Sequence, residues 1–357
     1  MIPIIIPAYE PDERLLELLK DLSESRLGHV IIVDDGSGEQ YSDIFTEAEN
    51  YLKTTGGVLL RHEVNRGKGR ALKTAFAHVL DHEPDAIGCV TADSDGQHSP
   101  ECIARIMEAL EENPDKLVLG VRTFDMEGVP WKSRMGNKIT EQVFSYVSGI
   151  HVTDTQTGLR GIPREFMREL LDVSGERFEF EMQMLLESAG KYPVMEVPIR
   201  TIYDSEDHHQ THFNSWTDSA KIYRILIRRF MKYVLASASS CLIDLLLFAV
   251  FCRLFKGKFA AYIAAATVLA RILSGSYNYA VNYKVVFESE EKKRTSGFKY
   301  LVLAIVQTIL SAAFTTLGST MLPAVPEVVV KVLVDTVLFF ISYRIQHMYI
   351  FIPQKNQ

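Results

Sequence analysis

Only four cysteines occur in 357 residues, and no two form a C-x-x-C pair. That absence argues against a structural zinc site or a disulfide framework. Cys89, Cys102, Cys241 and Cys252 are therefore expected as reduced, buried thiols. Basic excess is missing too: the net charge is −7, which gives no support for nucleic-acid binding. No G-x-G-x-x-G follows the first apolar run, which disfavours a dinucleotide-binding dehydrogenase. The opening residues Met1-Ile2-Pro3-Ile4-Ile5-Ile6 lack a basic flank and are too short for a signal peptide. The globular part is accordingly expected in the cytoplasm. Neither a low-complexity segment nor an internal repeat is evident in the residues.

What the chain does have is a division. Its mean hydropathy is near zero only because two unlike halves cancel. Residues 1–216 read as a globular domain, 217–232 as an amphipathic interfacial helix, and 233–357 as a membrane domain with four transmembrane helices. In the first part, short apolar runs at residues 2–6, 29–33, 58–60, 86–91 and 116–120 alternate with helical patterns at 13–22, 67–80 and 100–112. Asp12 is placed to cap the first helix, and Pro7 to end the first strand. Such alternation predicts an α/β fold, a mostly parallel sheet covered on both faces. Ligands on such sheets bind beyond the carboxyl ends of the strands. The polar clusters all follow apolar runs, so they are expected to share one crevice.

One of these clusters is Asp93-Ser94-Asp95-Gly96-Gln97-His98. Two carboxylates one residue apart at a strand end can approach one divalent ion, which neutralises the charge of a nucleotide diphosphate. Alone, D-x-D is a weak signal, because acidic turns are common. Its company is more specific. Pro7-Ala8-Tyr9 follows the first strand, Asp34-Asp35-Gly36-Ser37 the second, and Asn65-Arg66-Gly67-Lys68-Gly69 precedes a helix. In order and spacing, residues 2–213 resemble the family-2 glycosyltransferases of GT-A fold, and within them the polyprenyl-phosphate sugar transferases of the dolichyl-phosphate mannosyltransferase group.

The resemblance implies roles. Pro7, Tyr9 and Asp34 hold the nucleoside, with Asp35, Lys68, Ser94 and Asp93 also on the donor side. Asp93, Asp95 and Gln97 take Mg2+ or Mn2+, and Asp95 is catalytic. Arg122 and Arg134 bind the acceptor phosphate and serve catalysis, with Asp154 of Asp154-Thr155-Gln156-Thr157-Gly158 beside them. Arg200 and His212 reach the donor diphosphate. One departure stands out: the family carries Asn-Glu after the Tyr of its first motif, and here the residues are Glu10-Pro11. That leaves the nucleotide preference open.

The expected reaction is inverting transfer of one hexose from a UDP-glucose- or GDP-mannose-type donor to undecaprenyl or dolichyl phosphate at the cytoplasmic face of the plasma membrane. A phosphate monoester has a second pKa near 6, so the acceptor needs no strong general base. The enzyme has to gather two anions and stabilise a departing diphosphate, which calls for arginines and a metal. A processive polysaccharide synthase carries Q-x-x-R-W, whereas the nearest string is Gln156-Thr157-Gly158-Leu159-Arg160-Gly161. An alternative is a lipid-linked sugar flippase or scaffold whose first domain binds nucleotide without reacting. Eroded aspartates would mark it, and both are intact. Self-assembly into a homo-oligomer is left open.

The basic amphipathic stretch holds Lys221, Arg224, Arg228, Arg229 and Lys232 among isoleucines, as suits an anionic membrane face. Four candidate spans follow at residues 233–254, 259–279, 300–322 and 328–349. Basic residues weight the loop at 288–299, which places both termini in the cytoplasm. The stretch from Arg271 through Phe287 resembles a GtrA-like domain over residues 230–351. Asp244, Arg271 and Asp335 fall inside the spans, where charges are costly and usually pair. Arg271 is expected to pair with Asp244 or Asp335. Ala266, Ala270 and Ser274 recur at a spacing that permits close helix contact.

Overall fold

The computed structural model describes residues 1–27, 29–122, 131–199, 217–258, 262–289 and 291–351. The chain divides into two compact units, Met1–Ile225 and Leu226–Gln357.

Seven strands build one sheet among the described residues of the first unit: β1 (Ile4–Ala8), β2 (Val30–Asp34), β3 (Val58–Arg61), β4 (Gly88–Thr91), β5 (Leu117–Arg122), β6 (Arg160–Pro163) and β7 (Val194–Ile199). Their order is β3-β2-β1-β4-β6-β5-β7. All pairings are parallel except those of β6, which runs antiparallel to β4 and β5. The α/β expectation thus holds as a mixed, mostly parallel sheet followed by a helical region. With four residues, two of them Gly161 and Pro163, β6 is too short to give a strand pattern of its own.

Central strands of such a sheet are buried on both faces, which is why β1 and β2 are near-continuous isoleucine and valine. Ile4, Ile6 and Ile32 pack with Leu15, Leu19, Phe45, Ile103 and Ile106, and all of these are buried. Ile5, Ile31 and Val33 are equally buried. Asp12 caps α1 (Glu13–Glu24), accepting from the Arg14 N–H at 3.1 Å. Pro7 does not end β1: the strand runs on to Ala8. Its last partner in β4 is opposite Ile5, and Ala92 N–H bonds Ile5 O. Pro7 therefore turns its missing donor to a side where no ladder bond remains to be made. The other helices here are α2 (Ser42–Thr55), α3 (Lys68–His82), α4 (Pro100–Glu112), α5 (Trp131–Ser148), α6 (Arg164–Leu170) and α7 (Glu179–Ser188).

Among the described residues the long helices that follow are α8 (Thr217–Phe255), α9 (Tyr262–Val281), α10 (Lys293–Met321) and α11 (Glu327–Ile345). No break separates residues 217–232 from the apolar part of α8. Among the described residues two helices are long and apolar enough to cross a membrane, Phe230–Phe255 and Lys293–Met321. Polar groups interrupt the other two: Arg271, Ser274, Ser276 and Asn278 in α9, and Glu327, Lys331, Asp335 and Arg344 in α11. Cys89 and Cys102 are buried free thiols as expected. Cys241 is exposed and Cys252 half-buried, because the apolar flank of α8 faces outward.

Contacts repeat within the second unit, although the sequence shows no repeat there. Both α9 and α11 end in a π-helical turn, Asn282–Val286 and Gln346–Ile350. Phe287 N–H closes one on Asn282 O at 2.9 Å, and Phe351 N–H closes the other on Gln346 O at 2.8 Å. Lys232 Nζ donates to Val285 O at 3.2 Å, and Lys299 Nζ donates to Tyr349 O at 3.0 Å. Tyr233 lies 6.2 Å from Phe287, and Tyr300 lies 6.3 Å from Phe351. Phe287 approaches Tyr343 at 5.9 Å, as Phe351 approaches Tyr279 at 5.8 Å. The α8–α9 and α10–α11 hairpins are thus two copies of one motif, meeting about a local two-fold. At its centre Asn282 Nδ2 donates to Gln346 Oε1 at 2.9 Å, and Phe287 stacks on Phe351 at 5.2 Å. The repeat escapes the eye because few identities survive: Asn282 faces Gln346, and Tyr283 matches His347.

Equivalent places hold the membrane-domain charges. Arg271 pairs with Asp244 at 3.3 Å, and Asp335 accepts from Ser311 and pairs with Lys331 at 3.0 Å. Of the two partners expected for Arg271, it takes Asp244. Ala266, Ala270 and Ser274 are all buried, and Ser274 O accepts from Ser240 of α8 at 2.9 Å. Lys232, expected to face lipid headgroups, also pairs with Glu288 at 2.9 Å.

Candidate active site

The carboxyl ends of β1, β2, β4 and β5 lie on one edge of the sheet, because these strands run parallel. Tyr9 follows β1, Asp34 ends β2 with Asp35 just beyond it, Asp93 and Asp95 follow β4, and Arg122 ends β5. The sequence clusters therefore lie at that one edge of the sheet.

On the β1–β2 side the turns are tightly tied. Asp34 Oδ1 accepts from Ser37 N–H at 2.9 Å, and Ser37 Oγ accepts from Glu10 N–H at 2.9 Å. Glu10, where the sequence departs from the family, has φ 49°, a left-handed conformation that side-chain-bearing residues seldom adopt. Hydrogen bonding to Glu10 and partial burial raise the pKa of Tyr9. Pro7 is buried within β1. Asp35 is buried and turned inward: it accepts from Arg66 N–H at 3.0 Å and Gly67 N–H at 2.7 Å, and meets His62 Nδ1 at 2.6 Å. Its carboxylate shapes the loop that precedes α3.

That loop delivers Lys68. A Cβ on Gly67 or Gly69 would collide with the 176–180 segment, so both glycines let the start of α3 press against it. Arg70 and Lys73 then grip Glu176, with Arg70 Nη2 at 2.9 Å and Lys73 Nζ at 3.1 Å. Burial pushes Glu176 upward, but Lys73 and Arg70 outweigh it and hold its carboxyl below the usual range. A depressed folded pKa gives stability that is present above the unfolded value, about 4.3, and is lost as pH falls through the folded one. The melting temperature of the full chain will therefore drop between about pH 5 and pH 3, and Glu176→Gln will flatten part of that drop. Superimposable pH profiles would refute this.

Lys68 Nζ stands between two carboxylates, 2.7 Å from Asp93 Oδ1 and 3.0 Å from Glu181 Oε1. Burial disfavours the ammonium, yet Asp93 and Glu181 outweigh it and raise the pKa of Lys68. Burial likewise pushes Asp93 up, but Lys68 and His98 prevail and hold it far below the usual carboxylate range. Asp95 shifts the other way, raised by burial and by the charge of Asp93. Its Oδ1 accepts from Gln97 N–H at 3.1 Å, and Ser94 and Gln97 are half-buried beside it. His98 is buried, and among the described residues neither ring nitrogen has a hydrogen-bond partner; Nε2 lies 3.5 Å from Asp93 Oδ2. Gly158 packs on the Asp93 carboxylate so closely that a Cβ would collide with it.

At the β5 end Asp154 is fully buried and binds Arg122 through Nε at 2.7 Å and Nη2 at 3.0 Å. Asp154 also accepts from Gln156 N–H at 3.1 Å. Arg160, fully buried, donates to Thr157 O at 2.8 Å and Glu181 O at 2.7 Å, fastening this loop to α7. Arg134 lies in α5 with its side chain outside the described residues, and Arg200 and His212 lie outside them altogether. The sequence reading missed Glu181, Arg160 and the close approach of Gly158. Glu181 stands over a hundred residues from Lys68, so no local spacing could announce the pair.

Among the described residues no three His, Cys, Asp or Glu side chains form a metal cage. Asp93 and Asp95 nevertheless suit Mg2+ or Mn2+, which bind through one or two carboxylates and complete their shell with phosphate and water. The low pKa of Asp93 keeps one of them ionised.

Residues 4–171 match glycosyl transferase family 2, and residues 232–351 match the GtrA/DPMS transmembrane domain. An uncharacterised protein of Methanocaldococcus jannaschii is 30% identical over 205 residues, which are 56% of this chain and 81% of that protein. The UDP-N-acetylglucosamine–dolichyl-phosphate N-acetylglucosaminyltransferase of Methanococcus voltae is 28% identical over 218 residues, 57% of this chain and 86% of that one. The polyprenol monophosphomannose synthase of Mycolicibacterium smegmatis is 25% identical over 205 residues, 55% of this chain and 75% of that one.

Proposed function

Because the chain belongs to glycosyl transferase family 2 and carries a GtrA/DPMS transmembrane domain, we propose that it moves one hexose from a nucleotide sugar to a polyprenyl phosphate. The donor is of the UDP-glucose or GDP-mannose type, the anomeric carbon inverts, and the reaction runs at the cytoplasmic face of a membrane the chain crosses several times. The observation that carries this reading is the pair Asp93 and Asp95 at the end of β4, with Lys68 brought to the same carboxylate.

The ends of β1 and β2, with Tyr9 and Asp34, would hold the nucleoside. Asp93 and Asp95 would hold a divalent metal, which supplies charge neutralisation for the diphosphate leaving group. Arg122, oriented by Asp154, presents its guanidinium at the β5 end, where a phosphate acceptor would be steered. Arg134, Arg200 and His212 would complete the grip on the two anions. No side chain has to remove a proton, since the acceptor phosphate carries its nucleophilic charge near neutral pH. The chain's task is positioning and electrostatics.

The test uses the purified full chain in detergent or nanodiscs, with labelled UDP-glucose, UDP-N-acetylglucosamine or GDP-mannose and undecaprenyl phosphate. Label should pass into the organic phase with one of them, and with Mg2+ or Mn2+ present. Binding of nucleotide sugars without any labelled lipid would overturn the proposal in favour of a non-reacting scaffold.

A further inference from the structure

We propose that Lys68 is a tethered counter-cation that contends with the divalent ion for Asp93, and that Glu181 is the carboxylate that keeps the ammonium when the ion takes its place. The inference rests on the metal-binding part of the reading above and adds two residues that set the affinity of that site. The Asp93 side chain is 30% exposed. Gly158 crowds its carboxylate so closely that a methyl group there would collide with both oxygens, and the buried His98 ring lies 3.5 Å from Oδ2. On Oδ1, Lys68 sits at 2.7 Å. A second cation using that oxygen has to meet the ammonium.

The same nitrogen is 3.0 Å from Glu181 Oε1, so Lys68 can let go of Asp93 and remain paired without rebuilding the helix that carries it. Both side chains are mostly buried, Lys68 17% exposed and Glu181 11%. A charge left there without a partner would be costly, which is what makes the second carboxylate necessary. Arg160, bonded to the carbonyl of Glu181, fixes the start of α7 against the 155–157 loop. Without metal the arrangement also limits repulsion between Asp93 and Asp95. The site is thus kept ordered by its own lysine.

The test is Mn2+ binding to the full chain without donor or acceptor, read from the electron paramagnetic resonance signal of free Mn2+. Lys68→Met should bind Mn2+ about tenfold more tightly than wild type, because the competitor is gone. Glu181→Gln should bind it about tenfold more weakly, because the ammonium then has only Asp93. The double variant should resemble Lys68→Met. Lys68→Arg, which keeps the charge, should stay near wild type, and this guards against a general folding defect. Unchanged or weaker binding by Lys68→Met overturns the proposal, as does a Glu181→Gln effect that persists undiminished in the double variant. Absence of Mn2+ binding in all five proteins at millimolar concentration overturns it as well. Failure of sugar transfer alone, with these affinities as stated, would sink the glycosyltransferase reading and leave this one standing.

Discussion

Asp95→Ala will slow sugar transfer about a thousandfold while leaving the fold in place. The magnitude follows from what a metal-bound carboxylate contributes: several kcal/mol of charge stabilisation on the leaving group, at about 1.4 kcal/mol for each factor of ten. The fold survives because Asp95 is half-buried and its described bond is a local one to Gln97 N–H. Asp93→Ala is a poorer probe, since it also strips Lys68 of a partner. Single-turnover transfer to undecaprenyl phosphate measures the loss, and circular dichroism with thermal melting checks the fold. Undiminished lipid glycosylation by Asp95→Ala would refute the assignment.

The second large effect is on stability. Asp154 is 0% exposed, and it ties together the end of β5, the Arg122 side chain and the 154–157 loop. Removing one partner of a buried pair strands the other, at about 3 kcal/mol or more. Asp154→Ala should therefore lower the melting temperature by roughly 6–12 °C for a unit of this size. Calorimetry of the full chain measures it. Asp154→Asn, which keeps the shape and its acceptor oxygen for Gln156 N–H, should cost less. Equal melting temperatures for wild type and Asp154→Ala would show that the pair is incidental. If Arg122 steers the acceptor, the surviving Asp154→Asn enzyme will also show a raised KM for the lipid phosphate.

Much of this site could be read in the residues because the sheet is wound from short, local units. Each motif follows its own strand: Tyr9 after Ile4–Ala8, Asp34 within Val30–Asp34, Asp93 after Gly88–Thr91. Parallel winding brings those ends to one edge without further instruction. The Asp12 cap and the buried isoleucines of β1 were legible for the same reason. Contacts that close over long separations were not. Lys68 with Glu181, Gly158 with Asp93, and Arg160 with the carbonyl of Glu181 depend on where α7 and the β5–β6 connection come to rest. The D-T-Q-T-G string was visible as a motif, but its glycine shows its purpose only when the carboxylate beside it is seen. Asp35 reads as a ligand beside Asp34, yet just past the end of β2 it turns inward to bind the Arg66 and Gly67 N–H groups.

The paired hairpins of the second unit carry a consequence for how such a domain can change. An assembly of two identical hairpins has to bear every substitution twice, once on each side of its axis. A single chain that contains both copies is released from that rule. Asn282 can remain an amide opposite the amide of Gln346, while the places that hold Asp244 and Arg271 in one half hold Ser311 and Asp335 in the other. The fold keeps the geometry of a symmetric pair and spends its freedom on giving the two sides opposite chemistry.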